Sequence, residues 1–311
     1  MPDQSGALLA LFGPTGVGKT AVAIALAERL RAREEDPVAV SADALQVYAG
    51  LETVTGAAST AQRERLEHRL VGTVAITETF SAGRFARLAH REIDGALAAG
   101  RRPIVVGGTG LYLRAALCDL DLRPPPPAGV RERIAARAEA EGLAALHAHL
   151  AEQAPERAAE IGPADRSRIV RALELLEMGE QPAPAGDDSR LWTADMRHPT
   201  LLCGLIMRRD ALYARIDARV QEMVSAGAEE EVRRAHAAGA SVTARKALGF
   251  AELLEGDVEA MKRRTRNFAK RQLTWMRKLA PLETIDVTGR RAEDVAEEIG
   301  QRALSGGRGR L

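Results

Sequence analysis

The chain has 311 residues, with 44 Lys+Arg against 43 Asp+Glu and a formal net charge of +1. No whole-molecule field selects a nucleic acid, a membrane or any other charged partner, so a local patch must do so. Aromatic residues are only 3%, and the two cysteines, Cys118 and Cys203, fit neither a disulfide framework nor a metal-ligand spacing. The N-terminal residues do not read as a secretory leader and no apolar run reaches transmembrane length, so a soluble, cytoplasmic chain of one large or two ordinary domains is expected.

In chain order, Leu8–Phe12 is a short apolar run that predicts a buried strand. It leads into Gly13, Pro14, Thr15, Gly16, Val17, Gly18, Lys19 and Thr20, the spacing of a phosphate-binding loop also found in ATP-binding enzymes. The glycines let the backbone wrap an anion, Lys19 supplies a positive charge, and the Thr20 hydroxyl suits a Mg²⁺ that bridges phosphate groups. Thr20–Leu30 predicts a helix whose N-terminal dipole faces the same anion. Pro37–Ser41 predicts a second strand that ends at Asp43, and a ligand of a parallel α/β sheet lies beyond the carboxyl ends of its strands. Gly50–Ser59 reads as a mobile turn. Ala61–Leu70 and Ser81–Ala99 read as helices, the second with Ser81 as N-cap and Gly100 as its stop. Pro103–Val106 predicts a third core strand, and Gly107–Tyr112 a second glycine-rich turn that presents Thr109 to the phosphate site.

Composition changes at Arg123 and the run Pro124–Pro127, a stiff connector. Val130–Met178 is helical pattern with breaks near Gly142, Pro155 and Gly162-Pro163, and Gln181–Ser189 is a polar loop. Leu201–Met207 returns as a strand, and helices follow from Asp210, apart from a strand near Glu283–Val287 and a disordered tail, Ser305–Arg310. The expected architecture is a P-loop-type parallel sheet flanked by helices, formed by 1–123 and 199–311, with a helical insertion at 124–198.

Met261–Leu279 carries eight Lys/Arg between Lys262 and Lys278 and no acid. At 100° per residue, Arg263, Arg266, Asn267, Lys270, Thr274 and Arg277 share one face, and Met261, Phe268, Trp275, Met276 and Leu279 the other. A solvated helix usually mixes charges, so this stripe argues for a polyanionic partner. Arg166, Arg168 and Arg171 form a second basic ridge in the insertion. For the chemistry, Asp43 is the only carboxylate just after a plausible core strand, which leaves the Mg²⁺ site of an ordinary P-loop kinase incomplete.

The segments GPTGVGKT, DALQVY, GGTGLY, SRIVRALE, RIDARVQEMVSAG and AKRQLTWMR follow one another as in tRNA dimethylallyltransferases (tRNA isopentenyltransferases), and the chain resembles the bacterial type from about Leu8 to Lys278. GGTGLY with AKRQLTWMR downstream is the specific part. The resemblance implies transfer of a dimethylallyl group from its diphosphate to the 6-amino group of the adenosine 3′ of the anticodon, with Mg²⁺, by a monomer that binds the tRNA anticodon loop. It assigns catalysis to Asp43 as base, Lys19, Arg219 and Thr109, and diphosphate binding to Gly13–Thr20. It assigns tRNA contacts to Asp43, Ala44, Leu45, Gln46, Ser167, Arg168, Arg171, Lys246, Gly249, Phe250, Lys270, Arg271, Gln272, Thr274, Trp275 and Arg277. The chain departs from the pattern at Ala44, where the family commonly has Ser, and at Thr55-Gly56-Ala57-Ala58, where a Lys is usual. The rival readings are an isopentenyltransferase of free adenine nucleotides, for which the insertion and the basic helix are superfluous, and a small-molecule kinase.

Overall fold

The five residues Leu8–Phe12 (β1) are all buried and occupy the middle of a six-stranded sheet. In the computed structural model, which describes residues 8–120, 122–123, 125–127, 129–180, 193–279 and 282–306, that sheet has the order β3-β2-β4-β1-β5-β6. The other strands are Pro37–Ala42 (β2), His68–Arg69 (β3), Arg102–Gly107 (β4), Thr200–Ile206 (β5) and Glu283–Asp286 (β6). Every neighbouring pair is parallel. The central strands are near-continuous apolar runs because helices cover both faces of such a sheet. Gly107 at the end of β4 is in register with Phe12 on one side and Ala42 on the other. That register brings Gly13, Asp43 and Gly108 to one edge, where a parallel sheet holds its ligand.

The helices before the insertion are Lys19–Arg31 (α1), Glu52–Thr55 (α2), Thr60–Arg65 (α3), Ala82–Ala98 (α4) and Gly110–Leu117 (α5). Val22, Ile24 and Leu26 of α1 pack with Leu9, Leu11, Ile104 and Leu205 in the main core. On α4, Phe85, Ala89, Ile93 and Ala96 are buried at spacings of one turn, and the Ser81 hydroxyl accepts from the Arg84 amide at 3.2 Å as expected of an N-cap. The expected helix Ala61–Leu70 is corrected: it stops at Arg65, Leu66 is fully buried, and His68 and Arg69 pair with Ala39 and Val40. Edge pairing and burial of Leu66 override local helix propensity there. The stretch Gly50–Ser59, expected as a mobile turn, carries α2. Glu231, 7% exposed, accepts from the amides of Thr53 and Val54 at 2.8 and 2.7 Å and so caps α2 from outside.

The chain divides into two compact units, 1–120 with 191–311, and 121–190. The second contains Val130–Glu141 (α6), Leu143–Gln153 (α7), Pro155–Glu160 (α8) and Arg166–Glu177 (α9), with breaks where Gly142, Pro155 and Gly162-Pro163 predict them. Ile134, Leu146, Leu150 and Ile169 form its core. Its fully buried Glu174 is held by Arg131 at 2.5 Å and Arg171 at 3.0 Å. The unit closes before the expected 198, because Arg197 pairs with Asp94 at 3.0 Å and its amide donates to Leu117 O at 2.8 Å, which ties that segment to the sheet unit. The predicted loop Gln181–Ser189 and Pro124 lie outside the described residues, as does the tail beyond Gly306.

The sheet unit continues with Arg209–Ser225 (α10), Ala228–Ala237 (α11), a single 3₁₀ turn at Ala244–Lys246, Phe250–Leu254 (α12), Val258–Met276 (α13) and Ala292–Gly306 (α14). Among the described residues no helix is long and apolar enough to cross a membrane.

Candidate active site

The glycine loop folds as its spacing dictates. Gly16 and Gly18 adopt φ of 82° and 103°, left-handed values that glycine takes without strain. Lys19 opens α1 and curls back, its Nζ donating to Gly13 O at 2.8 Å and Pro14 O at 3.1 Å. Burial pushes the Lys19 ammonium down to about 8; the nearby Arg219 adds to the fall and Asp43 opposes it. An anion bound beside Lys19 would favour its charged form.

Asp43 lies immediately past β2, at the mouth of a cavity of about 760 Å³ that Thr15, Lys19, Thr20, Thr109 and Arg219 also line. Its Oδ1 accepts from the amides of Leu45 at 2.9 Å and Gln46 at 3.4 Å, an Asx turn that orients the carboxylate. Among the described residues no hydrogen bond engages Oδ2. Gln46 is spent locally: its Oε1 accepts from the Ser41 hydroxyl at 3.1 Å and its Nε2 leans on Gly56 O at 3.4 Å. Arg219 reaches in from α10 and donates to Gly56 O at 2.8 Å. Burial lowers its pKa while Asp43 and Glu222 raise it. Gly56, at the left-handed φ of 59°, lies against Arg219, whose guanidinium would have to move to admit a Cβ there, since the two would stand 1.9 Å apart. Thr109 precedes α5 without using its hydroxyl as a cap, and it faces the cavity as expected.

Two contributors were not singled out from the sequence. Arg215 lies one helical turn before Arg219, lines the same cavity and stands over the loop, where a Cβ on Gly18 would be 3.3 Å from its guanidinium. The i, i+4 spacing of two arginines in ARIDARV was the available signal. Glu231, which holds α2 and with it Gly56, was hidden in the run Glu229–Glu231, where nothing local distinguishes a buried acid from a solvated one.

The residues expected to meet tRNA separate into three groups. Lys270, Arg271, Thr274 and Arg277 are exposed on α13, Lys246 is exposed beside the cavity, and Ser167 and Arg168 are exposed on α9. Ala44, Leu45, Arg171 and Trp275 are half-buried, Arg171 paired with Glu174 and Trp275 packed so that a Cβ on Gly110 would be 2.3 Å from its ring. Gly249, Phe250 and Gln272 are buried: Gly249, at φ 95°, precedes α12, Phe250 is 2% exposed against His236, and Gln272 is 4% exposed, lines the cavity and is bonded to the phosphate loop. The inward face of α13 is accordingly Met261, Thr265, Ala269, Gln272 and Met276, with Phe268 and Trp275 only flanking it, so the projected apolar face is rotated. The basic stripe is also partly neutralised, since Lys262, Arg263, Arg264 and Arg266 pair with Glu259, Asp257, Glu252 and Asp217.

A parallel α/β sheet whose strand ends open on a glycine loop, with half-buried Lys19 and Arg219 and the acids Asp43 and Glu222 at one cavity, has the architecture of a P-loop-type α/β protein. Residues 46–279 match the family model described as IPP transferase. The chain is 43% identical to the tRNA dimethylallyltransferase of Rhodospirillum centenum over 89% of this chain and 90% of that protein. It is 40% identical to the tRNA dimethylallyltransferase of Kineococcus radiotolerans, over 87% of this chain and 88% of that one. The crystal structure of the full-length tRNA isopentenylpyrophosphate transferase from Bacillus halodurans superposes with a TM-score of 0.68 at 30% identity, covering 96% of this chain and 97% of that one. The chain belongs to the IPP transferase family.

Proposed function

We infer that this chain transfers a dimethylallyl group from dimethylallyl diphosphate to the exocyclic 6-amino group of the adenosine 3′ of the tRNA anticodon and releases diphosphate. The observation that carries the reading is the convergence of Asp43, Lys19 and Arg219 at one cavity: a carboxylate just past β2 beside two desolvated cations, with Glu222 lining the same cavity. The amine nitrogen attacks C1 of the allylic group, the C1–O bond to diphosphate breaks, and the amine proton passes to Asp43. Charge that develops on the departing diphosphate meets the loop N–H groups, Lys19 and Arg219, the kind of donors that stabilise a developing oxyanion. Asp43 as general base is worth about 10²–10⁴-fold. The target base must leave the anticodon-loop stack to reach the cavity, where it is read on its edges.

The donor set fits Mg²⁺. Among the described residues no group of three His, Cys, Asp or Glu could hold a metal, and the hydroxyl of Thr20 lines the cavity next to the loop. Hard oxygen ligands supplied mainly by substrate phosphates and water are what Mg²⁺ accepts. Thr20 would hold the ion, which when bound neutralises diphosphate charge.

The test is incubation of purified protein with Mg²⁺, labelled dimethylallyl diphosphate and bulk tRNA, followed by nuclease digestion. Label in a dimethylallyl-adenosine nucleoside from the anticodon loop is the expected result. Label transferred only to free adenine nucleotides, or ATP turnover without transfer, would overturn it.

A further inference from the structure

We propose that Gln272 is a positioning residue of the diphosphate site: a buried strut through which the basic helix α13 holds the phosphate loop and the Thr109 turn in register. Gln272 sits on the inward face of α13, 4% exposed. Its Oε1 accepts from the Thr15 amide at 2.9 Å and its Nε2 donates to Gly108 O at 2.8 Å. One carboxamide thus joins the loop after β1 to the turn after β4, two segments whose strands are paired but whose ends diverge into separate helices. A side chain that donates and accepts in opposite directions is what a gap between an N–H and a C=O requires, and an amide supplies both.

The approach is close on every side. A Cβ on Gly108 would be 2.3 Å from the Gln272 nitrogen and 3.3 Å from Lys19 Nζ, so the strut, the turn and the lysine form one packed unit. The next residue back, Arg271, is exposed and sets its guanidinium 5.5 Å from the Phe268 ring, and Lys270 before it is exposed as well. The sequence Lys270-Arg271-Gln272 therefore exposes two side chains, Arg271 at the edge of the cavity, and turns the third to the phosphate loop. A buried, doubly bonded amide fixes its partners more strongly than an exposed one because the alternative is two unsatisfied groups away from water.

The strut takes its meaning from the proposed reaction but is tested without it. Gln272→Met fills the same space and makes neither hydrogen bond; Gln272→Glu keeps an acceptor for Thr15 and cannot donate to Gly108. Binding of inorganic diphosphate with Mg²⁺, measured by calorimetry in the absence of RNA, should weaken about tenfold in both variants, the value of one or two missing charge-adjacent hydrogen bonds. The KM for dimethylallyl diphosphate should rise and kcat fall, while bulk tRNA binding, followed by anisotropy, should stay within about twofold and urea melts should remain cooperative. Lys270→Gln should show the opposite pattern, with weaker tRNA binding and unchanged diphosphate affinity. Variants of Gln272 that lose tRNA affinity and keep diphosphate affinity would overturn the proposal, as would variants that keep both. Should the wild-type protein bind diphosphate and fail to modify tRNA, the reaction assigned above fails while the strut is still judged on diphosphate affinity alone.

Discussion

The protein uses the same residue types in two opposite ways. Inside the cavity, Lys19 and Arg219 are desolvated, fixed by hydrogen bonds to Gly13, Pro14 and Gly56, and have lowered pKa values. On α13 and just past its end, Lys270 and Arg277 stand in solvent, and among the described residues no carboxylate pairs with them. Charges of the first kind act strongly on one anion and are little screened by salt. Charges of the second kind are screened within about 10 Å at 0.1 M salt and act together on a large polyanion. The difference teaches that cation count alone says nothing about role; burial and pairing assign it.

The largest expected effects lie inside. Asp43→Asn should lower kcat by about 10²-fold or more and leave the affinities for tRNA and diphosphate near wild type; a variant with near-normal kcat would break the assignment of the base. Lys19→Ala should weaken diphosphate binding and slow transfer together, because that ammonium holds the leaving group before and during departure. The lowered pKa of Lys19 gives a pH test with a fixed sign. As pH rises through about 8 the ligand-free protein loses the Lys19 proton, so diphosphate affinity should fall above that pH and binding there should take up a proton. For stability the sign is opposite, since the buried charge is a penalty below about 8 that disappears as pH rises toward the unfolded value of 10.5. Calorimetry in buffers of different ionisation enthalpy checks the first; urea melts of wild type and Lys19→Met across that range check the second.

Smaller effects belong to the outer face. Lys270→Gln and Arg277→Gln should each weaken tRNA binding a few-fold and lower the log–log salt slope by somewhat under one unit for each phosphate left without its cation. The smallest effect should come from Arg266→Gln. It belongs to the same stripe in sequence but donates to both carboxylate oxygens of Asp217 at 2.6 and 2.7 Å. It should leave the salt slope alone and change stability by less than about 1 kcal/mol. An Arg266 variant that flattens the slope as much as the Lys270 variant would show that pairing does not decide which cations meet RNA.

The sheet and the phosphate loop were legible because their signals are local: an apolar run of strand length, then glycines and Lys19 at fixed spacing. Ser81 as a cap and the breaks at Gly142 and Pro155 were legible for the same reason. What escaped depends on partners distant in the chain. His68–Arg69 becomes a strand only because β2 offers it an edge. Asp217 neutralises Arg266 across 49 positions, and Gln272 reaches Thr15 across 257. The helical projection of α13 carried an error of its own: its apolar face took in Phe268 and Trp275 and left out Thr265, Ala269 and Gln272, which are the buried ones. The glycines that accept close neighbours, Gly108 and Gly110, leave the inward space to Gln272 and set Trp275 at its margin.

The division between buried and exposed cations is tested most directly by steady-state transfer kinetics of the wild-type protein across a KCl series at pH 7, with dimethylallyl diphosphate saturating and tRNA varied. If the exposed cations serve only to hold tRNA, its KM rises steeply with salt while kcat stays flat, because Lys19, Arg219 and Asp43 act at short range inside the cavity. A kcat that falls in parallel with salt, over a KM that hardly moves, would contradict the account.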